Sequence, residues 1–136
     1  MNIYFLSSNP HKIKEVQTIL NSDTITVLSV TQKISEIQSN DMSEIAIDKA
    51  LKVFLRIGRP IIVEQTGLLL KDFEQLPGGL TQIFWDSLEA DKFGRYFSAT
   101  ETAQVVAKTV IAYCDGKQIK TFDGEINGTG LEPATR

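Results

Sequence analysis

The chain has 136 residues, of which 42% are hydrophobic and 23% are charged, and its formal net charge is −3. This composition predicts one soluble globular domain over residues 1–136. The acidic balance argues against duplex nucleic acid as a partner, because proteins that bind it carry a basic excess. No apolar run approaches the ~20 residues of a membrane span, and the start lacks a signal-peptide pattern. We therefore expect a cytoplasmic protein that does not contact a membrane.

The first thirty residues show the pattern of an α/β unit. Residues 2–7 predict a buried strand, which the sequence "SSNP" then ends. Apolar residues at helical spacing predict an amphipathic helix from about His11 to Leu20. Residues 24–30, "TITVLSV", are rich in β-branched side chains and predict a second strand. Strand, helix and strand in this order favour an α/β fold.

A second helix is predicted after the polar segment 31–41. Asp41 or Ser43 is expected to cap its start, while Gly58 and Pro60 end it. The apolar stripe of this helix consists of Ile45, Ala46, Ala50, Val53, Phe54 and Ile57.

The stretch "IIVEQTGL" begins as a strand without polar interruption, as a central strand would. We expect this strand to end at Glu64 and the chain to turn through Thr66 and Gly67. Strand-like residues and a loop containing "LPGG" are expected next, followed by helical phasing over about 80–97.

The last third of the chain changes to an alternating pattern. Two alternating runs flank Asp115-Gly116, which is a strong β-hairpin signal. Cys114 lies in the first of these runs and is interpreted as a small core residue. The patterns together predict one α/β domain, with a mixed twisted sheet and about three flanking helices.

The loop after the first strand has the composition of an anion site. Ser7, Ser8 and Asn9 precede the first helix, where free N–H groups and side-chain donors bind anions. Lys12 places a cation in the first helical turn, where the helix dipole disfavours it, so a bound anion would compensate. The alternative is that Ser and Asn only cap the helix and that Lys12 is solvated.

Three further charged residues are candidates for a site. Lys49 lies among the apolar residues of the second helix, and either reaches into a cleft or extends to water. Glu36 precedes that helix, and Glu64 is expected at the carboxyl end of a strand, where open α/β sheets bind ligands. Such a carboxylate can hold Mg²⁺ beside a phosphate; alternatively it faces solvent or pairs with a lysine.

Five motifs in one order resemble the Ham1/inosine triphosphate pyrophosphatase family, also called the non-canonical purine NTP pyrophosphatases. The motif Asn9-x-x-Lys12-x-x-Glu15 is similar to the family's opening motif, and residues 35–50 look like its acidic loop and helix ending in Lys-Ala. "VEQTGL" is similar to its "EDTGL" or "DDSGL" motif. "LPGG" matches its proline-glycine loop, and "DGEINGTGLEP" looks like its "GEVEGTIAEEP" strand.

The resemblance implies an elongated α/β fold with a deep central cleft, homodimers, and Mg²⁺-dependent hydrolysis of nucleoside triphosphates to monophosphate and pyrophosphate. The preferred substrates would be deaminated purine nucleotides, the triphosphates of inosine, deoxyinosine and xanthosine. Carried over by position, Glu36 and Glu64 would hold the metal, and Lys12, Lys49 and residue 65 would be catalytic. The residues expected to bind the substrate are Ser7, Ser8, Asn9, Lys12, Lys49, Thr66 and Gly67.

The chain departs from the family pattern at three places. Gln65 stands where the family has a second acid, and a glutamine can hydrogen-bond water but cannot accept its proton. Gln82 loosely aligns with a family lysine. Relative to the family pattern, the chain stops at Arg136, short of a Gly-Phe-Gly-Tyr/Trp-Asp-Pro motif and a Ser-His-Arg motif. We therefore expect an exposed sheet face that a second copy or a partner chain covers.

Two functions remain open from the sequence. The first is a nucleotide pyrophosphatase that is slow or altered in its choice of substrate. In that case Asp72 or Asp86 could replace the acid that is missing at position 65. The second is an inactive family member that binds a nucleotide or a protein. A third reading is that the chain is a fragment of a longer protein.

Overall fold

Six strands of one mixed sheet and two helices form the described part of the chain, residues 1–70, 76–81 and 104–129, in a computed structural model. The order of the elements is β1 (Asn2–Leu6), α1 (Pro10–Leu20), β2 (Thr26–Val30), α2 (Met42–Ile57), β3 (Ile61–Leu70), β4 (Leu76–Gly78), β5 (Gln104–Cys114) and β6 (Ile119–Thr129). The mixed α/β sheet predicted from the sequence is confirmed. Residues 82–97 of the helix predicted over about 80–97 lie outside the described residues, as do Asp72, Gln82 and Asp86.

The strands are ordered β2-β1-β3-β5-β6, with β4 paired to β3 outside this path. β1 pairs in parallel with β2 and with β3, and the register to β3 sets Phe5 opposite Ile62. Parallel strands need a crossover, and α1 and the segment containing α2 supply these two connections.

α1 begins where its sequence predicts. Asn9 is the N-cap, and its Oδ1 accepts hydrogen bonds from the backbone N–H groups of His11, at 2.9 Å, and Lys12, at 3.4 Å. Pro10 occupies the first turn, where its missing N–H costs nothing. Ile13 and Val16 of this helix pack against a cluster of buried residues from β1, β2 and β3: Ile3, Phe5, Val27 and Ile62.

α2 is held by the predicted apolar stripe. Ile45, Ala46, Ala50 and Val53 are fully buried. The helix ends at Ile57 and is followed by Gly58, which has a φ of +63° and whose N–H donates to the Phe54 carbonyl at 2.8 Å. Only glycine adopts that backbone conformation without strain, so the predicted end of the helix is confirmed.

The prediction that the third strand ends at Glu64 is wrong. β3 continues through Thr66 and Gly67 to Leu70, because β4 pairs antiparallel with its second half. The glycine serves close packing instead of a turn: a Cβ at position 67 would lie 2.5 Å from the Gly78 carbonyl oxygen. The same pairing makes residues 76–78 of the expected "LPGG" loop a short strand.

The predicted hairpin at Asp115-Gly116 is confirmed. Residues 115–118 connect β5 to β6, and Gly116 has a φ of +87°. The Asp115 Oδ1 accepts hydrogen bonds from the backbone N–H groups of Lys117 and Gln118, each at 2.9 Å. Tyr113 adds its hydroxyl, which donates to Asp115 Oδ2 at 3.1 Å. The aspartate therefore closes the turn with three hydrogen bonds.

The chain forms two compact units. The first contains the described residues of Met1–Ile37, Ser43–Glu64 and Ile111–Phe122, and the second those of Gln38–Met42, Gln65–Val110 and Asp123–Arg136. In the part of the chain that the structure describes, neither helix has the length and apolarity that crossing a bilayer requires.

Candidate functional site

The loop between β1 and α1 has two roles to reconcile, capping and anion binding. Ser7 Oγ accepts a hydrogen bond from the Asn9 backbone N–H at 3.1 Å, and Asn9 Oδ1 caps the helix. The cap uses the acceptor atom of Asn9, whereas a phosphate would be bound by the Nδ2 donors of the same side chain. Ser8 and Asn9 are exposed at the helix N-terminus. Capping therefore uses the backbone N–H groups of Asn9, His11 and Lys12, and an anion here would be bound by side-chain donors such as Asn9 Nδ2.

Lys12 forms an ion pair with Glu64 across α1 and β3. Its Nζ lies 2.5 Å from Glu64 Oε1, and the two side chains are 47% and 21% exposed. Glu64 lies two positions beyond Ile62, the last residue of β3 that pairs with β1. It therefore lies past the carboxyl end of β1, although not at the end of its own strand. The carboxylate compensates the unfavourable position of Lys12 at the helix N-terminus, a compensation that the sequence assigned to a bound anion.

A second ion pair joins Lys49 of α2 to Glu36. The Lys49 Nζ lies 3.8 Å from Glu36 Oε2, with 16% and 43% of the side chains exposed. Lys49 therefore does not extend to open water. It is partly buried beside a carboxylate, in the same compact unit as Lys12 and Glu64. Four of the predicted site residues are thus grouped into two lysine–glutamate pairs.

Glu64 and Gln65 point to opposite faces of β3, because successive side chains of a strand alternate. Glu64 shares its face with Ile62, which packs against the α1 side of the sheet. Gln65 is only 8% exposed and shares its face with Gly67, where a Cβ would lie 2.9 Å from the Met42 sulfur at the start of α2. Thr66 is exposed, with its hydroxyl 3.2 Å from that of Thr109. The sequence motif therefore divides its side chains between two surfaces.

The carboxylates fit a metal that arrives with its substrate. Within the described residues, no three His, Cys, Asp or Glu side chains form a group that could hold a metal ion. Glu36 and Glu64 are instead each neutralised by a lysine. Protein sites for Mg²⁺ commonly use one or two carboxylates and take the other ligands from phosphate oxygens and water. The donor set agrees with that kind of site and not with a closed structural one.

Sequence reasoning missed two features near this group. Lys52 and Arg56 of α2 donate to backbone carbonyls of the polar segment before the helix. An apolar groove of about 460 Å³ also adjoins Glu64. The spacing of Lys52 and Arg56, four residues apart on α2, could have indicated that both contact the same segment. The groove depends on contacts between distant strands, which local spacing does not show. It is lined by Phe5, Val16, Ile19, Leu20, Ile62, Glu64, Ile111, Tyr113, Gln118, Lys120 and Phe122.

The fold and these paired charges define an α/β protein with two lysine–glutamate ion pairs in one compact unit, and comparison with known proteins specifies its family. The profile of the Ham1 family matches residues 3–135. An inosine triphosphate pyrophosphatase of Kluyveromyces lactis is 34% identical over 132 residues, covering 93% of this chain and 68% of its own length. A dITP/XTP pyrophosphatase of Hyperthermus butylicus is 26% identical, covering 96% of this chain and 68% of its own length.

Solved structures agree with the fold. The nucleoside-triphosphatase (dITP/XTP pyrophosphatase) of Mycobacterium abscessus superposes with a TM-score of 0.80 at 18% identity, covering 95% of this chain and 74% of its own. The Ham1 protein of Staphylococcus aureus gives a TM-score of 0.76 at 19% identity. The profile match over residues 3–135 shows that the chain belongs to the Ham1 family.

Proposed function

We propose that this protein is a hydrolase of phosphoric anhydrides that converts non-canonical purine nucleoside triphosphates to the monophosphate and pyrophosphate. The triphosphates of inosine, deoxyinosine and xanthosine are the expected substrates, since these give their names to the curated relatives. The supporting observation in this chain is the ion pair between Lys12 and Glu64. A polyphosphate with its metal needs a cation and a carboxylate at one place, and this pair supplies both.

Each site residue has a separate task in the proposed reaction. Ser7, Asn9 and Lys12 bind phosphate oxygens through their side chains at the N-terminus of α1, where the helix dipole favours an anion. Lys49 adds a second cation against the charge that develops on the pyrophosphate as it leaves. Glu36 and Glu64 would hold Mg²⁺, which shields the phosphate charge when it is bound. Binding and orientation by these residues supply most of the rate enhancement in such reactions.

The rate is proposed to be limited by the lack of an acid at position 65, whose side chain lies on the face of β3 opposite to that of Glu64. Water attacks the phosphorus next to the ribose oxygen, the bond to the pyrophosphate breaks, and the proton of the attacking water passes to bulk water. A glutamine can orient this water through its amide, but it cannot accept the proton. Loss of a general base typically costs ~10²–10⁴-fold. We therefore expect turnover slower than that of a relative with an acid here.

An inactive nucleotide-binding member is the second reading, and Gln65 is the observation that favours it. The curated relatives support the enzyme instead, because they match the chain over nearly its whole length as pyrophosphatases. Pyrophosphate release should be measured with Mg²⁺ on a panel of triphosphates, together with calorimetric binding. Release from inosine or xanthosine triphosphate that is lost in Lys12→Ala supports the enzyme. Binding without release supports the inactive member.

We also propose that the protein acts in the cytoplasm on the nucleotide pool.

The apolar groove is proposed to be covered by a second copy or a partner chain. Ile19 is 71% exposed and Phe122 is 60% exposed along this groove. Side chains of that size are commonly buried at interfaces. Sedimentation over rising concentration tests this: Phe122→Ser should shift the protein towards a monomer. The matched variant Leu55→Ser alters a residue that is 82% exposed but does not line the groove. A wild-type monomer at all concentrations and without a partner contradicts the proposal.

A further inference from the structure

The polar segment that carries Glu36 is fastened to α2 by three side chains. Residues 31–41 contain no helix or strand. Arg56 Nη1 donates to the Lys33 carbonyl at 2.7 Å, and Lys52 Nζ donates to the Ser35 carbonyl at 2.6 Å. The ion pair of Lys49 with Glu36 follows directly along the segment. We call Lys52 and Arg56, with their two carbonyl partners, the α2 clamp.

The positions of these cations on the helix explain why one segment reaches all of them. Lys49, Lys52 and Arg56 are three and four residues apart, so they lie within about 60° of one another around the helix axis. Their partners occur in reverse order along the chain, from residue 36 to residue 33. The segment therefore runs along the helix in the opposite direction. Since α2 buries four residues of its stripe completely, it is a fixed support for this contact.

Lys52 is itself held in place for this contact. Its Nζ lies 2.7 Å from Asp48 Oδ2 one helical turn earlier, with 36% and 30% of the two side chains exposed. Charge-assisted hydrogen bonds to a carbonyl are stronger than neutral ones, and here they replace the ladder that an irregular segment lacks.

We infer that Lys52 and Arg56 are positioning residues for Glu36, and through it for the metal and polyphosphate of the proposed reaction. This inference rests on the proposed function. Glu36 is 43% exposed on an irregular segment, so without the clamp it would have to be ordered each time a ligand binds. With the clamp, the ordering is complete before the ligand arrives. Residues that orient a metal ligand from outside typically change metal affinity 10–100-fold.

Lys52 and Arg56 are both positively charged, and this charge determines how their loss should change metal binding. Removing a positive charge near a cation site should by itself strengthen cation binding. With the triphosphate analogue bound, loss of the same charge weakens binding of the anion. Weaker Mn²⁺ binding in Lys52→Met, Arg56→Met and the double variant therefore reports lost positioning where it exceeds the change in the charge control Lys14→Met. We expect the dissociation constant of Mn²⁺, measured by electron paramagnetic resonance with a non-hydrolysable inosine triphosphate analogue, to rise about tenfold in the double variant. Lys52→Arg should retain most of the affinity, because a guanidinium also donates to the Ser35 carbonyl.

Hydrogen exchange supplies the readout that does not depend on activity. Amides of residues 31–41 should exchange faster in the double variant, while those of β1 and β3 and the melting temperature stay close to wild type. Lys14→Met, which removes an exposed lysine from α1, is the control for charge alone. Unchanged exchange over 31–41 overturns the clamp. Faster exchange with unchanged Mn²⁺ affinity overturns the positioning role. Absence of Mn²⁺ binding in the wild-type protein contradicts the proposed function and, with it, the positioning role. In that case hydrogen exchange over residues 31–41 still decides whether the clamp exists.

Discussion

Lys12 Nζ lies 2.5 Å from Glu64 Oε1, so the cation expected to bind phosphate and the carboxylate expected to bind metal neutralise each other when no ligand is present. A phosphate bound to Lys12 therefore removes the cation that a metal would have to displace from Glu64. A metal bound to Glu64 likewise removes the carboxylate that a phosphate would have to displace from Lys12. If a phosphate takes Lys12, Glu64 regains its full charge for the metal, and the reverse also holds. By linkage, metal and polyphosphate should bind with positive and reciprocal coupling.

Lys12→Ala tests this coupling. Pyrophosphate release should fall about 10²–10³-fold, because a donor to the developing charge is lost. Mn²⁺ binding without nucleotide should become tighter, since Glu64 no longer has a competing cation. Lys14→Ala on the same helix should change neither quantity. Weaker Mn²⁺ binding in Lys12→Ala would contradict the coupling.

Gln65→Asp should raise pyrophosphate release by up to about 10²–10⁴-fold, if a missing base is what limits the reaction. Position 65 is 8% exposed, so burial should raise the pKa of the new carboxyl above its ordinary value. Only the ionised form accepts a proton, and the gain should therefore increase with pH over the neutral range. Gln65→Asn, which adds no charge, is the control. An equal rate for both variants at every pH would place the base elsewhere.

Gly67→Ala should destabilise the fold by roughly 1–3 kcal/mol, as overpacking commonly does. The added Cβ would lie 2.5 Å from the Gly78 carbonyl oxygen, and a backbone atom cannot move aside as a flexible side chain can. Urea denaturation measures the free energy of unfolding. Gly124→Ala is the matched change in a strand, because nothing lies within 4 Å of a Cβ there. Equal stability of the two variants would contradict the close approach of β3 and β4.

Asp115 makes the hairpin sensitive to acid. Hydrogen bonds from the backbone N–H groups of Lys117 and Gln118 hold the pKa of its carboxyl below the ordinary value of 3.8. The folded state thus prefers the ionised carboxyl, so the contribution to stability is complete above the unfolded pKa and is lost as pH falls through the folded pKa. Asp115→Asn should flatten the pH dependence of the melting temperature below about pH 4. An unchanged acid profile would show that the turn does not depend on this charge.

The same carboxylate acts on its neighbour. Burial, followed by the hydrogen bond to Asp115, raises the pKa of Tyr113 above its ordinary value of 10.0. The tyrosine therefore remains a donor to Asp115 through the neutral range. Asp115→Asn should bring the titration of the Tyr113 phenol closer to the ordinary value; because the chain has three tyrosines, it is followed by nuclear magnetic resonance of the Tyr113 ring. Titration of the wild-type tyrosine at or below that value would contradict the contact.

The helices and the hairpin could be predicted from the sequence because local chemistry decides them. Asn9 and Pro10 set the start of α1, Gly58 ends α2 and Asp115-Gly116 forms the turn, each within a few residues of the element it controls. The extent of β3 could not be predicted in this way. Thr66-Gly67 has the composition of a turn, but pairing with β4 keeps the chain extended there.

The site was predicted as a group of residue types and not as a set of contacts. The order of the motifs identified Lys12, Glu36, Lys49 and Glu64, yet it did not indicate which lysine pairs with which glutamate. Such pairs join residues as much as 52 positions apart in the sequence. They depend on how strands and helices assemble, which the spacing within one segment does not record.

The alternation along β3 also limits how the protein can be redesigned or can evolve. An acid gained at position 66 would share the strand face of Glu64, and would leave the surface of Gln65 as it was. A lineage that replaced the acid at position 65 could not recover it by mutating a neighbour one step along the strand. Recovery requires either direct reversion at that codon or a carboxylate supplied by an element that faces the start of α2. Searches for compensating substitutions should begin on that side.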